Sequence, residues 1–202
     1  MIKNIIFDMG GVLIEWNPHL FCERFGISDK NDQDVIVNNT VRQQSWHDYD
    51  QGLITINKLI NLSKDRVPDR LKKECVNFIK NWNLVSYPVK GMEELLKELK
   101  SKGYRIYLLS NAGYNQPNYF KKYPYTNIFD GKIVSCFYKI RKPDKEIFEL
   151  IVKKYKLNKE ECVFIDDYEI NVKGSNDAGI KAILFKNAID LRKDLKEIGV
   201  EI

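Results

Sequence analysis

The chain has 202 residues, of which 44% are hydrophobic and 30% are charged, and its formal net charge is +5. This length predicts one domain of ordinary size, or a core that carries a modest insertion. The small, dispersed positive charge argues against a nucleic-acid-binding tract and fits anionic small molecules. Four isolated cysteines, and no apolar run of membrane-spanning length, predict a cytoplasmic protein with free thiols and no membrane segment.

The first element is a short apolar run, residues 5–7, which stops at the carboxylate of Asp8. Because the run is too short for a helix, it predicts a buried parallel strand with Asp8 at its C-terminal end. In open α/β sheets, ligands bind at that edge. Gly10 and Gly11 follow at once, and they let the backbone turn tightly and bring its polar groups close to a bound phosphate.

Residues 16–88 have apolar residues at helical spacing and no strand-like runs, so we expect a small all-helical segment. Asp29 and Thr55 are typical helix starts within it. Since the segment follows the first strand, it would hang over the C-terminal edge of the sheet and act as a cap. The predicted division is a core of residues 1–15 and 89–202 with a helical cap at 16–88.

From Gly91 onward, helical and strand-like patterns alternate, which predicts an α/β fold with a doubly wound parallel sheet. Residues 114–125 form an exception, because they mix tyrosines with asparagines and lysines. We expect a surface helix and loop there; base stacking on a single nucleic-acid strand is the less favoured reading. The predicted strands lie at 105–109, 132–135, 162–165 and 181–185, and the predicted helices at 92–102, 142–155 and 169–178.

Chemically capable side chains stand at the predicted strand ends or just beyond them. They are Asp8, Ser110, Asn111, Lys142, Asp166 and Asp167. On a parallel sheet these ends converge, so three carboxylates would share one crevice with a hydroxyl, an amide and an ammonium group. The carboxylates repel one another unless a cation neutralises them, and Mg²⁺ prefers oxygen ligands. Together with Lys142 and backbone N–H groups, such a site suits phosphate.

Asp8 can also act as a nucleophile. A carboxylate held in line with a phosphoryl group can attack phosphorus and form an aspartyl-phosphate. Lys142 would offset the charge on the phosphoryl oxygens, and Ser110 would donate a hydrogen bond to them. Considered singly, each of these residues could also have a purely structural role, such as a polar turn at Ser110 or a helix cap at Asp167.

The segments Phe7–Leu13, Leu109–Asn111, Arg141–Asp144 and Phe164–Asn171 together resemble the haloacid dehalogenase superfamily of hydrolases. The resemblance implies a Rossmann-like core with a helical cap. It implies that Asp8 is the nucleophile and that Ser110 and Lys142 bind phosphate. It further implies that Mg²⁺ is held by Asp8, Asp167 and the backbone carbonyl of Gly10, with Asp166 assisting through water.

Within the superfamily, the chain resembles a small bacterial subgroup that includes α-D-glucose-1-phosphate phosphatases, which share the Asp-x-Gly variant and a cap segment like Trp46–Gly52. His47 and Asp50 in that segment are therefore candidate contacts to the substrate, although a packing role for His47 is equally open. The resemblance implies a small phosphorylated metabolite, with sugar phosphate as the favoured class. We expect a monomer or a weak dimer.

One position departs from the family pattern. Phosphatases of this superfamily usually carry an acid/base aspartate two residues after the nucleophile, where this chain has Gly10. General acid catalysis is typically worth about 10²–10⁴ in rate. Glu15, His47, Asp48 or Asp50 could replace it. The alternatives are a 2-haloacid dehalogenase reaction on the same core, or a catalytically weak binding or regulatory relative.

Overall fold

The computed structural model describes residues 1–202 and contains one five-stranded parallel sheet. Its strands are β1 Asn4–Phe7, β2 Arg105–Ser110, β3 Gly131–Val134, β4 Cys162–Asp166 and β5 Lys181–Leu184. They lie in the order β3-β2-β1-β4-β5, which places the first strand of the chain at the centre. The predicted α/β class with a parallel sheet is confirmed.

Strand β1 is buried on both faces of the sheet. Ile5 and Phe7 pack into one hydrophobic cluster and Ile6 packs into another. This is why the strand has an unbroken apolar sequence rather than an alternating one, since helices cover both sides of a parallel sheet.

The chain between β1 and β2 is helical from residue 18 to residue 84. Its α-helices are α1 Pro18–Arg24, α2 Lys30–Asn39, α3 Gln44–Asp50, α4 Ile56–Lys64 and α5 Lys72–Asn81, with 3-10 turns at Asp69–Leu71 and Trp82–Leu84. The side chains of Asp29 and Thr55 cap α2 and α4, as the sequence predicted.

The two ends of this helical segment lie side by side. The Glu15 N–H donates to the Tyr87 carbonyl at 2.8 Å, and the Val89 N–H donates to the Leu13 carbonyl at 2.9 Å. The chain therefore leaves the sheet and returns to it at one place, which is the geometry of an insertion.

The remaining helices cover the sheet. They are α6 Met92–Ser101, α7 Gln116–Phe120, α8 Lys145–Tyr155, α9 Glu169–Asp177 and α10 Ala188–Glu197. Apolar residues of α6 and α10 pack on the face that carries Ile5, and those of α8 pack on the face that carries Ile6. The sheet is thus doubly wound. None of the helices is both long and apolar enough to cross a membrane, and all four cysteines are buried and unpaired.

The tyrosine-rich segment 114–125 corrects one prediction. We expected a surface helix and loop, but Tyr119, Phe120, Tyr123 and Tyr125 are all buried. The hydroxyl of Tyr125 donates to the Leu13 carbonyl at 2.6 Å, and that of Tyr123 donates to the Ser86 carbonyl at 3.1 Å. Tyrosine can enter a core when its hydroxyl finds such a partner. These rings are packing groups and are not available for stacking on nucleic-acid bases.

An aromatic cluster joins the helical segment to the sheet domain. The ring of Trp82 lies 4.8 Å from Trp16 and 5.1 Å from Tyr119, and Trp16 lies 6.0 Å from Trp46. Aromatic side chains bury large areas and favour edge-to-face packing at these distances. The three tryptophans therefore pack where the helical segment meets the sheet domain.

Candidate active site

Three carboxylates meet at the C-terminal edge of the sheet. Asp8 follows β1, Asp166 ends β4, and Asp167 comes next. One oxygen from each carboxylate lies within 4.8 Å of the others. Neighbouring parallel strands end at the same edge, so residues far apart in sequence are brought together, as expected from the strand ends.

Lys142 is the counter-charge of this cluster. Its Nζ lies 2.6 Å from Asp8 Oδ1 and 2.6 Å from Asp166 Oδ2, and the side chain is only 1% exposed. The ammonium also lies 5.1 Å from the centre of the Phe164 ring. A buried lysine is costly unless it is paired, so this contact set fixes the ammonium group beside Asp8.

Asn111 positions Lys142. Its Oδ1 accepts a hydrogen bond from the Lys142 N–H at 2.8 Å, and its Nδ2 donates to the Lys142 carbonyl at 2.9 Å. The Asn111 side chain, which we expected among the groups of the phosphate site, therefore holds the backbone of the lysine.

Asp166 is held by two groups that the sequence reasoning did not assign. Asn171 Nδ2 donates to both carboxylate oxygens at 3.0 and 3.1 Å, and the Tyr168 N–H donates to Oδ1 at 2.9 Å. Asn171 lies in the first turn of α9, so its side chain can reach back to the end of β4. The side chain of Asp167 does not cap α9, so a helix-capping role for this aspartate is excluded.

Ser110 ends β2 and is buried. Its Oγ has no hydrogen-bond partner. A buried hydroxyl without a partner costs free energy, so this atom is a group that a ligand at the site could satisfy.

The two glycines shape the turn after Asp8. Gly11 has φ +80°, and a Cβ built on it would lie 2.0 Å from Asp167 Oδ2. Only glycine therefore fits between the turn and the Asp167 carboxylate. Gly10 is different, because a Cβ there would lie 3.6 Å from the Trp16 Cβ, which is an ordinary contact.

The electrostatics of the cluster favour an added cation. Burial raises the pKa of Asp8 to about 8, opposed by Lys142 and assisted by Asp166 and Asp167. Burial also raises the pKa of Asp167 to about 6, with Asp166 adding to it. One lysine does not neutralise three neighbouring carboxylates, two of which are buried, so a bound divalent cation would stabilise the ionised forms.

A cavity of about 730 Å³ lies between the helical segment and this edge of the sheet. Asp8, Gly10, Asn111, Lys142 and Asp167 line it from the sheet side. His47 and Asp50, the predicted cap contacts, line it from α3. The cavity therefore joins the carboxylate cluster to the helices above it.

Arg141 connects the two sides of the cavity. Its Nη2 lies 3.2 Å from His47 Nδ1, within hydrogen-bond distance, and Arg141 lines the cavity beside Lys142. Burial lowers the pKa of His47, and Arg141 adds to that effect. Burial raises the pKa of Asp50 to about 8, although Arg141 opposes the shift. The sequence reasoning did not single out Arg141, since its partner lies on a distant helix.

The other two predicted replacements for the missing aspartate do not reach this cavity. Glu15 pairs with Arg24 Nη1 at 2.5 Å, and the hydrogen bond from Arg24 lowers its pKa. Asp48 accepts a hydrogen bond from Gln44 Nε2 at 2.8 Å, and neither acid lines the cavity. His47 and Asp50 are the two that do.

Comparison with known proteins assigns the family. The sequence profile of the haloacid dehalogenase-like hydrolases matches residues 2–179. The chain belongs to this family. The family resemblance inferred from the four motif segments is thereby confirmed.

Individual relatives cover almost the whole chain. A sesquiterpene phosphatase of Aspergillus oryzae, astK, is 26% identical over 197 residues, 97% of this chain and 96% of that protein. A D-ribitol-5-phosphate phosphatase of Bacteroides thetaiotaomicron is 22% identical over 98% of both chains. A haloacid dehalogenase family enzyme of the same bacterium, solved with magnesium and inorganic phosphate, superposes with a TM-score of 0.71. It is 25% identical and covers 93% of this chain and 96% of its own.

Proposed function

We propose that this hydrolase is a Mg²⁺-dependent phosphatase that acts on a small phosphorylated metabolite through an aspartyl-phosphate on Asp8. The observation that carries the proposal is the pair of 2.6 Å contacts by which buried Lys142 joins Asp8 to Asp166, beside Asp167 and the cavity. The named phosphatases among the relatives support the reaction class. The related enzyme solved with magnesium and phosphate supports the metal.

The donor atoms present fit Mg²⁺. The ion prefers oxygen ligands, and the cluster offers carboxylate oxygens within 4.8 Å of one another. Asp8, Asp167 and the Gly10 carbonyl would hold the ion, with Asp166 assisting through water. When bound, Mg²⁺ supplies positive charge to the carboxylates and to the phosphoryl oxygens.

The reaction follows from the positions of the chain's own groups. One carboxylate oxygen of Asp8 attacks phosphorus while the bond from phosphorus to the leaving oxygen breaks, and the leaving oxygen takes up a proton. Lys142 and the free Ser110 hydroxyl donate to the phosphoryl oxygens. Water then hydrolyses the acyl phosphate, which releases inorganic phosphate and restores the Asp8 carboxylate.

We further propose that residues 16–88 act as a cap that selects the substrate. The cavity lies beneath these helices, and His47 and Asp50 face it. These two side chains are also the groups placed to exchange a proton with the leaving oxygen, since Gly10 has no side chain for this step. Substitution of each therefore tests the leaving-group step separately from attack by Asp8.

The test is a turnover screen with purified protein. We expect hydrolysis of p-nitrophenyl phosphate and of members of a phosphorylated-metabolite panel with Mg²⁺, and none with EDTA. Asp8→Asn should reduce turnover to background while leaving the circular dichroism spectrum unchanged. The control is Asp69→Asn, an exposed carboxylate outside the cavity, which should retain full activity.

Three other outcomes of this screen would argue against the phosphatase proposal or against the role of Asp8. Release of halide from a 2-haloacid that continues in EDTA would favour the dehalogenase reaction on this core, which needs no metal. Absence of turnover on every substrate, with phosphate still bound, would favour a regulatory or binding protein. Full activity of Asp8→Asn would refute the nucleophile assignment.

A further inference from the structure

The cavity is larger than a phosphoryl group requires. Its volume is about 730 Å³, and pockets of roughly 300–1,000 Å³ accommodate drug-sized ligands. The carboxylate cluster and Lys142 occupy only the floor of this space. The walls above the floor therefore decide what the rest of the substrate looks like.

The inner wall is apolar. Five of its side chains are buried in the hydrophobic core and present a surface to the cavity: Val37, Trp46, Ile79, Trp82 and Tyr119. Half-buried Val41 and Ile56 continue this wall. Tyr168 and Ile170 lie at the mouth and are 63% and 49% exposed, although each carries a large apolar surface.

Most polar groups on the walls already have partners within the protein. His19 lies 2.9 Å from Asp34 Oδ1, Asn115 Oδ1 accepts a hydrogen bond from Asn118 at 3.2 Å, and Asp50 accepts from Trp46. Arg42 and Lys80 are exposed and stay in contact with solvent. His47 and Arg141 are hydrogen-bonded to each other. Among the residues that line the cavity, Arg141 Nε is the one buried side-chain nitrogen or oxygen without a partner.

Apolar walls favour the phosphate esters of apolar alcohols over sugar phosphates. A sugar phosphate carries several hydroxyls, and each one that leaves water without a new partner costs free energy. An apolar chain gains free energy with every methylene that it buries. We infer that the substrate is the phosphate monoester of an alkyl, alkenyl or aromatic alcohol rather than a sugar phosphate, an inference that rests on the proposed phosphatase function.

The first measurement is direct binding, which does not depend on turnover. Isothermal titration of the protein with Mg²⁺ and a series of n-alkylphosphonates, from ethyl to octyl, should show affinity rising about two- to fourfold per methylene, or about 60-fold or more over the series. Inorganic phosphate should displace each ligand, which separates binding at the site from adsorption elsewhere. In turnover, kcat/KM for hexyl phosphate should exceed that for glucose 6-phosphate at least about tenfold, since both are primary esters of six-carbon alcohols.

Matched variants locate the effect. Ile56→Asn and Ile170→Asn place an amide on the wall and at the mouth, and each should reduce the octyl-to-ethyl affinity ratio about three- to tenfold. Ile189→Asn is the control, because Ile189 is 71% exposed on α10 and lies outside the cavity. It should leave the ratio unchanged.

The outcomes separate this inference from the proposed reaction. Equal affinity along the alkyl series, or a preference for glucose 6-phosphate in turnover, would overturn the apolar substrate class even if p-nitrophenyl phosphate is hydrolysed. A chain-length trend without any phosphatase turnover would support the apolar site and overturn the phosphatase proposal.

Discussion

Replacement of Lys142 by methionine tests the central contact of the site. Met retains the aliphatic volume but removes the ammonium, which leaves Asp8 and Asp166 buried without the partner that lies 2.6 Å from each. Breaking a buried ion pair on one side costs about 3–5 kcal/mol. For a domain of this size, 1 kcal/mol shifts Tm by roughly 2–4 °C, so we expect Tm to fall by about 6–20 °C in metal-free buffer.

The matched control is Lys3→Met. Lys3 also forms an ion pair, with Glu161 at 2.5 Å, but its side chain is 57% exposed, and exposed pairs contribute about 0–1 kcal/mol. Differential scanning calorimetry in EDTA compares the two variants. The loss in Lys142→Met should shrink as the pH falls, because burial raises the pKa of Asp8 and its protonation removes an uncompensated charge. Equal Tm values for the two variants would refute the view that Lys142 is the electrostatic centre of the site.

Three further predictions concern the turn after Asp8 and the cap. Gly10→Asp fits sterically, since a Cβ there meets its neighbour at 3.6 Å, and it should raise the rate on esters with poor leaving groups about 10²-fold without helping p-nitrophenyl phosphate. Gly11→Ala should abolish activity because its methyl group would lie 2.0 Å from Asp167 Oδ2, whereas Gly103→Ala, also at positive φ but with open space around it, should lower stability alone. Asp50→Asn should change how stability depends on pH. The folded-state pKa of about 8 lies above the ordinary 3.8. As the pH rises between these values, the free energy of unfolding of the wild type should therefore fall by up to about 1.4 kcal/mol per pH unit, and that of the variant should fall less.

Each of these has a result that contradicts it. Steady-state kinetics that show a slower Gly10→Asp enzyme on alkyl esters would mean that the pocket is built around the glycine. Activity that survives in Gly11→Ala would mean that the turn and Asp167 can move apart. Parallel pH–stability curves for wild type and Asp50→Asn, from chemical denaturation in metal-free buffer, would show that this carboxyl titrates normally in the fold.

The convergence at the sheet edge could be predicted because it depends on a general rule of parallel sheets. Apolar runs mark the strands, the polar residues that follow mark their ends, and the topology brings Asp8 and Asp166 together. No knowledge of the helices above the sheet was needed. The contact of Lys142 with both carboxylates then follows from their shared need for a counter-charge.

The contacts that were not predicted depend on tertiary pairing. Asn171 and Arg141 act through partners whose proximity appears only after folding. The burial of Tyr125 was missed for the same reason, since its hydroxyl is satisfied by the Leu13 carbonyl far away in sequence. Local patterns describe how polar a residue is, but they do not say whether a distant carbonyl will accept its proton.

The central place of β1 has a consequence for biosynthesis. β1 is synthesised well before the two strands that it pairs with, which begin at Arg105 and Cys162. Closing such long loops is entropically slow, so the nascent chain carries Asp8 long before its partners Lys142 and Asp166 have been synthesised. A ribosome stalled before Asp166 would hold a chain that lacks two of the three carboxylates, so the cluster can form only after synthesis has passed Asp167.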